Sequence, residues 1–176
     1  MRYASSLLIR FLEVPHSRVW QQGLATMASN TTSVPVILCG KAVEIGSKVA
    51  PAIKPEMEVV HFINSLQDAK DNIPELLAGR GPLRPSGNEV GTHDYTKPPR
   101  AVIFGRAFTP EDVIELNRLC RGKGAAGPIA WIAGDPGYKP PANPGPAYAA
   151  KAADNVKNAL KKWQEEGANS EEIVYY

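Results

Sequence analysis

Four pairs of residues combine polarity or main-chain freedom with a position directly after an apolar run. They are Gly40-Lys41, Asn64-Ser65, Gly105-Arg106 and Gly134-Asp135. Glycine lets a ligand approach the main chain, lysine and arginine supply positive charge, and serine and aspartate supply polar oxygen atoms. We therefore predict a site for a small anionic ligand, either a nucleotide or an organic acid. The candidate ligand-binding residues are Gly40, Lys41, Ser65, Gly105, Arg106 and Asp135.

The known nucleotide-binding motifs are incomplete in this sequence. A dinucleotide-binding loop needs G-x-G-x-x-G, and only Gly40 and Gly46 are present. A phosphate loop needs G-x-x-x-x-G-K-[ST], and Lys41 has neither the glycine loop before it nor a hydroxyl after it. What remains is a helix N-terminus beside Lys41, with Arg106 from another loop, and we expect both bases to be exposed. The alternative, that Gly40 and Gly105 only turn the chain, stays open.

Other kinds of site have weaker signals. His61 and His93 lack further ligands at metal-binding spacing, so we expect no metal. The sequence contains no G-x-S-x-G motif of a hydrolase serine. Cys39 and Cys120 fall in apolar stretches, which is typical of buried free thiols rather than of a disulfide. No catalytic residue is assigned, whether the protein is an enzyme stays open, and a nucleotide is the one cofactor considered.

Apolar runs typical of strands covered on both faces alternate with helical patterns along the chain. The runs are residues 35–40, 58–63, 100–105 and 128–134. Thr109 followed by Pro110 is the clearest helix start. This order predicts a single α/β domain, Rossmann-like or flavodoxin-like, with a parallel sheet of four strands and helices on both faces. A fifth strand forms if the C-terminal residues pair with the sheet.

The boundaries of the elements follow from glycine, proline and asparagine. We predict that Pro74 ends the second helix and that Asn72 caps a short new turn. The domain is predicted over residues 34–167, and residues 168–176 form a tail that either pairs as an edge strand or stays loose. Residues 79–99 are rich in glycine and proline without periodicity, which predicts a mobile loop that orders only with a ligand or partner.

Residues 1–33 differ in composition from the rest of the chain. Three arginines stand against one acid, Glu13, in the first twenty residues, which is typical of a mitochondrial presequence. The alternative is a dispensable extension ahead of Met27. These alternatives place the protein in the mitochondrial matrix or in the cytoplasm. The net charge of +2 and the absence of a long apolar run predict neither a nucleic-acid partner nor a membrane.

Five stretches between residues 35 and 135 carry a resemblance to a known family. They are PVILCGKAVEIG, PEMEVVHFI, IPELLAG, PRAVIFGRAFTPEDVIELNRL and IAWIAG. This segment resembles the flavodoxin-like substrate domain of the D-2-hydroxyacid dehydrogenases. The resemblance implies the fold alone, because in that family a second domain holds the nicotinamide and supplies the catalytic residues. The whole chain, including PPRAVIFG and the terminal tyrosines, is similar to small uncharacterised proteins of filamentous fungi.

Two classes of function are compatible with these observations. The first is a stand-alone α/β domain that binds a small anionic ligand at the carboxyl ends of its strands. The second is an interaction protein, either a homodimer or an accessory subunit of a protein partner. Its aromatic anchors would be Tyr95, Tyr138, Tyr175 and Tyr176.

Overall fold

The structure is a computed structural model that describes residues 32–139, 141–142 and 144–176. The predicted presequence therefore lies outside the described residues, apart from its last two positions. Strands and helices alternate along the described chain. The strands are β1 (Val34–Cys39), β2 (Met57–Ile63), β3 (Ala101–Phe104), β4 (Ala130–Ala133) and β5 (Ile173–Tyr175). The helices are α1 (Val43–Ala52), α2 (Leu66–Leu77), α3 (Pro110–Cys120) and α4 (Pro146–Glu165).

The strands form one parallel sheet in the order β2-β1-β3-β4-β5. The predicted α/β fold is confirmed, and the strand order is the one found in flavodoxin-like folds. The order reverses at β1, because the chain moves to one side of it to form β2 and to the other side to form β3. In such sheets ligands bind beyond the carboxyl ends of the strands at this switch point.

The two faces of the sheet carry separate hydrophobic cores, because successive residues of a strand face opposite sides. Val36 and Leu38 of β1 pack in the core that includes α1 and α4. Ile37 and Cys39 pack in the core that includes α2 and α3. No helix in the described part of the chain is long and apolar enough to cross a membrane.

Helix α2 runs without interruption, so the predicted break at Pro74 is wrong. Its face carrying Ala69 and Ile73 is buried in the second core, and this tertiary packing offsets the roughly 3 kcal/mol that an interior proline costs. Asn72 is not a helix cap either. It is buried inside α2, and its side-chain oxygen accepts a hydrogen bond of 2.9 Å from the main-chain amide of Leu83.

Residues 79–99 pack along the outer edge of β2. The amides of Thr92 and His93 donate to the carbonyl oxygens of Val59 and Val60, at 2.9 and 3.0 Å. This packing corrects the prediction that the segment orders only with a ligand or partner. The reason is that β2 is an edge strand, and its outward carbonyl groups need donors from some other part of the chain.

The sheet continues past the predicted domain boundary at residue 167. Residues Ile173–Tyr175 pair in parallel with β4, and the amide of Tyr176 donates to the carbonyl oxygen of Ala133 at 2.9 Å. Of the two alternatives for residues 168–176, the edge strand is therefore the one that forms.

Candidate functional site

The loops after β1 and β3 lie side by side at the switch point. The amide of Gly105 donates to the carbonyl oxygen of Cys39 at 2.8 Å, and the amide of Gly40 donates to that of Ile63 at 2.9 Å. Strand pairing thus continues one residue beyond the ends of the strands. The structure brings the two predicted loops together in the lining of a single cavity.

This cavity has a volume of about 220 Å³ and lies beyond the carboxyl ends of β1 and β3. Most of its wall is apolar, with contributions from the sheet, α1 and α4. The main apolar side chains are Leu38, Ile45, Val49, Phe62, Ile103 and Val156. Among the described residues, the polar side chains in the lining are Lys41, Arg106, Tyr148 and Tyr176. The cavity therefore offers apolar walls with a few polar groups, which is the usual character of a small-molecule site.

Gly46 lets α1 approach the sheet closely. A β-carbon at this position would collide with ring atoms of Phe62, so a larger residue fits only if the ring moves. A β-carbon at Gly40 would lie 3.7 Å from the same ring, in ordinary contact. Gly46, which does not complete a nucleotide motif, therefore has a packing role beside the cavity.

Helix α1 begins without a side-chain cap in the described part of the chain. The carbonyl oxygen of Ala42 accepts hydrogen bonds from the amides of Ile45 and Gly46, at 3.2 and 3.1 Å. The amides of Val43 and Glu44 precede these bonds and have no acceptor within the helix. Their N–H groups and the positive end of the helix dipole favour a negative group at this point.

Arg106 is held among three tyrosines. Its Nη1 donates to the hydroxyl of Tyr148 at 3.2 Å, and its Nη2 donates to the main-chain oxygen of Tyr176 at 3.1 Å. The guanidinium carbon lies 4.5 Å from the ring centroid of Tyr138 and 4.8 Å from that of Tyr176. Gly134 provides the space, because a β-carbon there would collide with Cγ of Arg106.

Lys41 and Arg106 therefore have different environments. Lys41 is exposed, as expected, whereas Arg106 is half-buried, which corrects the expectation that both bases are exposed. The Nε of Arg106 is buried and has no hydrogen-bond partner among the described residues. Nε lies close to Gly134 and away from the cavity surface, so the N–H groups that remain for a ligand are the second hydrogens of Nη1 and Nη2.

The hydroxyl of Tyr176 at the cavity is protonated at neutral pH. Burial raises the pKa of Tyr176 to about 12, although the positive charge of Arg106 acts in the opposite direction. A protonated phenol can donate a hydrogen bond while accepting another, as Tyr148 does from Arg106.

Asp135 lies at a second cavity of about 140 Å³ beside the first. The two cavities share Arg106 and Tyr148 in their linings. The carboxylate of Asp135 is exposed and accepts a hydrogen bond of 2.8 Å from the amide of Gly137. The structure thus places Asp135 next to the larger cavity rather than in its wall.

Ser65 is not brought together with the other predicted residues. Its hydroxyl donates to the Asp68 carboxylate at 2.6 Å and accepts from the Asp68 amide at 3.1 Å, which makes Ser65 the N-cap of α2. Helix α2 packs on the face of the sheet opposite to α1 and α4. The loop after β2 therefore leads away from the cavity.

Tyr148 and Tyr176 belong to the cavity but were missed by the sequence analysis. They are 42 and 70 residues away from Arg106 in the chain, so no local motif links the three. Helical periodicity in α4 marks Tyr148 as facing inward, and this is the one signal that could have found it.

The two cysteines are buried and unpaired, as predicted. Burial raises the pKa of the Cys39 thiol far above its usual range, with a smaller contribution from Cys120. The pKa of Cys120 is raised to about 11, also mainly by burial. Because the thiolate is the nucleophilic form, Cys39 is not a nucleophile at neutral pH, and its side chain packs in the core of α2 and α3 on the other face of the sheet.

A separate polar cluster, which we call the histidine cluster, consists of His61, His93 and Tyr95. Nδ1 of His61 lies 2.8 Å from the hydroxyl of Tyr95, and the two imidazole ring centroids are 6.1 Å apart. Burial lowers the pKa of His61 to about 4; the charge of His93 adds to this effect and that of Asp68 opposes it. Among the described residues, no group of three or more His, Cys, Asp or Glu side chains is close enough to hold a metal ion.

Comparison with known proteins gives one informative match. The chain is 31% identical over 153 residues to kojic acid related protein 6 of Aspergillus oryzae, an alignment that covers 86% of this chain and 91% of that protein. The chain belongs to the family of that fungal protein. This agrees with the predicted similarity to small fungal proteins. No family model and no solved structure matches the chain, so the resemblance to D-2-hydroxyacid dehydrogenases gains no support.

Proposed function

We propose that this protein binds a small organic anion in the cavity beyond β1 and β3. The observation that carries the proposal is the combination of apolar walls with positive and donor groups in one cavity of about 220 Å³. The apolar body of the ligand would contact residues such as Ile45 and Phe62. Its negative group would face the N-terminus of α1 and the side chain of Arg106.

Electrostatics supports this orientation of the ligand. The N-terminus of α1 carries a partial positive charge and main-chain N–H groups without helical acceptors. Arg106 brings a full charge and a second N–H on each of its Nη atoms. Arginine suits carboxylates because its planar guanidinium forms well-directed hydrogen bonds. Lys41 adds a mobile charge at the rim, where it would attract an anion more than it would fix its position.

The proposed function is binding, without an assigned reaction. The Cys39 thiol packs on the other face of the sheet, and burial raises the pKa of Tyr176, so its hydroxyl acts as a donor rather than a base at neutral pH. The name of the Aspergillus relative connects that protein with kojic acid. Kojic acid is therefore one of the compounds that a binding screen should contain, beside organic acids and nucleotides.

The test is a thermal-shift screen of these compounds followed by titration calorimetry on the hits, because a ligand of the native state raises its stability. Lys41→Ala should weaken binding by about threefold to tenfold, and Arg106→Gln by about tenfold or more, since a lost charged hydrogen bond costs about 1.5–3 kcal/mol. Lys48→Ala is the matched control, because Lys48 is an exposed lysine of α1 that does not line the cavity.

Arg106→Gln also needs a stability control, because its side chain packs between Tyr138 and Tyr176. Melting of the variant without ligand provides this control. Equal affinities of the wild type, Lys41→Ala and Arg106→Gln for a bound anion would place its site elsewhere and contradict the proposal.

The alternative function, an interaction protein with tyrosine anchors, has less support. Tyr95 bonds to His61, and Tyr176 lies half-buried at the cavity, so both are engaged within the chain. Tyr138 and Tyr175 remain exposed, at 39% and 43%. A dimer in analytical ultracentrifugation that Tyr175→Ala dissociates would favour this alternative.

A further inference from the structure

We infer that the ligand is a monocarboxylic acid with a single ring. This inference rests on the proposed function and names the ligand class for the same cavity. Its first ground is size. An apolar cavity of about 150 Å³ accommodates benzene, and a drug-sized ligand requires about 300 Å³ or more. The cavity of about 220 Å³ lies between these values, which leaves room for one six-membered ring and a carboxylate.

The second ground is the shape and chemistry of the wall. Phe62 offers an aromatic ring directly beneath Gly40 and Gly46, and branched side chains such as Ile45 and Val49 surround it. A rigid ring gains contact with this surface without the entropy cost that a flexible chain of similar area pays on binding. The apolar part of the cavity therefore favours a cyclic ligand over an extended one.

The third ground is the small number of groups that can receive a charge. Arg106 and Tyr148 lie in the lining, the first with a second N–H on each Nη atom and the second with a hydroxyl hydrogen that its bond from Arg106 leaves available. One carboxylate can accept from both side chains. Lys41 and the N-terminus of α1 lie at the same strand ends as Arg106, so a second carboxylate on the far side of the ring would face apolar side chains, and burying a charge without partners is costly. A monocarboxylate is thus favoured over a dicarboxylate.

Nucleotides fit this cavity less well than a single ring does. A nucleoside monophosphate adds a sugar and a dianionic phosphate to its base, and the whole exceeds the volume that the cavity provides. Of the two ligand classes predicted from the sequence, the cavity favours the organic acid.

Titration calorimetry on the full chain tests the inference. The probes are benzoate, cyclohexanecarboxylate, acetate, terephthalate, benzyl alcohol and adenosine monophosphate. Benzoate and cyclohexanecarboxylate should bind at least about tenfold more tightly than each of the other probes. Acetate lacks the ring, terephthalate has a second charge, benzyl alcohol has no charge, and adenosine monophosphate is too large. Preference for acetate, terephthalate or the nucleotide would overturn the ring inference and leave the proposed anion site standing.

Two substitutions on α4 test whether the ring of the ligand lies in this cavity. Ala152→Leu fills the cavity, because Ala152 is buried in its wall, and should weaken benzoate binding at least about tenfold. Ala150→Leu is the control, since Ala150 is exposed on the same helix, and should leave the affinity unchanged. Benzoate affinity that Ala152→Leu does not change would overturn the placement of the ring in this cavity.

A second variant keeps the test valid if Ala152→Leu does not fold. Val156→Ala enlarges the cavity, because Val156 is a buried residue of its wall, and should raise the affinity for 2-naphthoate relative to benzoate. An unchanged ratio of the two affinities would contradict the inference. If none of the anions binds the wild-type chain, the proposed function itself fails, which separates its failure from that of the ring inference.

Discussion

Residues 79–99 and residues 168–176 lie at opposite edges of the sheet and are held there in different ways. The first segment covers β2 with a few main-chain hydrogen bonds and has no strand of its own. The second contributes a strand, β5, and then reaches the cavity through Tyr176. Both segments lack helical periodicity, so the difference between them comes from what each edge of the sheet requires.

The first segment satisfies β2 without extending the sheet. Besides the amides of Thr92 and His93, the side chain of Asn88 donates to the carbonyl oxygen of Phe62 at 3.3 Å. Val90 adds a buried side chain to the core shared with α1 and α4. A cover of this kind protects an edge strand from pairing with another chain.

The second segment is held by a buried carboxylate. Glu171 is 9% exposed, and its two carboxylate oxygens accept hydrogen bonds from the amides of Gly122 and Ile129, at 2.7 and 3.0 Å. The indole nitrogen of Trp163 donates to the carbonyl oxygen of Ser170 at 2.6 Å. These contacts bring β5 into register beside β4, which places Tyr176 next to Arg106.

Of the substitutions that distinguish the two segments, the one at Glu171 should have the largest effect on the free energy of unfolding. Glu171→Ala should lower the free energy of unfolding by about 3–5 kcal/mol, because two main-chain amides lose a charged acceptor. Glu172→Ala is the matched control. Glu172 pairs with Arg121 at the surface, so its loss should cost less than about 1 kcal/mol. Equal losses for the two variants in urea unfolding would contradict the role of Glu171.

The attachment of residues 79–99 can be tested at Gly91. This glycine has a φ of 111°, and a β-carbon there would lie 3.1–3.2 Å from the main chain of Val59 and Val60. Gly91→Ala should therefore lower the free energy of unfolding by about 2–3 kcal/mol. It should also accelerate hydrogen exchange at the amides of Thr92 and His93. Gly87→Ala is the control, because open space surrounds Gly87, and it should change neither quantity.

Acid should loosen the first segment before the second. The buried His61 contacts Tyr95, and its pKa of about 4 lies below the value of about 6.5 expected in the unfolded chain. The unfolded state therefore binds the proton more tightly. The contribution of neutral His61 to the free energy of unfolding is thus complete above pH 6.5 and is lost as pH falls toward 4. Between pH 7 and pH 5 the loss should be about 2 kcal/mol.

The variant His61→Gln tests how much His61 contributes to the pH dependence of stability. The variant cannot take up the proton, so its stability should fall less than that of the wild type between pH 7 and pH 5 in urea unfolding. Parallel pH curves for the two proteins would rule out the expected role of His61. Residues 168–176 contain no histidine, so this loss between pH 7 and pH 5 does not arise from them.

The smallest effect is expected at Tyr175, whose side chain is 43% exposed on β5. Tyr175→Ala should change the free energy of unfolding by less than about 0.5 kcal/mol, because substitutions at such exposed positions rarely matter. A larger loss in urea unfolding would mean that β5 depends on side-chain contacts as well as on Glu171 and the main-chain pairing.

Local signals in the sequence were sufficient for most of the fold. Buried apolar runs located four strands, and the helix start at Thr109 is confirmed by its bonds with Asp112 in both directions. The local rule failed at Pro74, because the packing of a whole helix face outweighs the cost of one residue. The same signals placed Gly40 and Gly105 at the same end of the sheet, because the carboxyl ends of parallel strands lie side by side.

Contacts between distant residues were needed for the composition of the site. Ser65 carries the same polar chemistry as a ligand-binding serine, but Asp68 engages its hydroxyl as a helix cap. Arg106 depends on Tyr148 and Tyr176, which no spacing in the sequence connects to it. A motif records the chemistry of neighbours along the chain, whereas the size of a cavity and the partners of a charge depend on how the helices pack against the sheet.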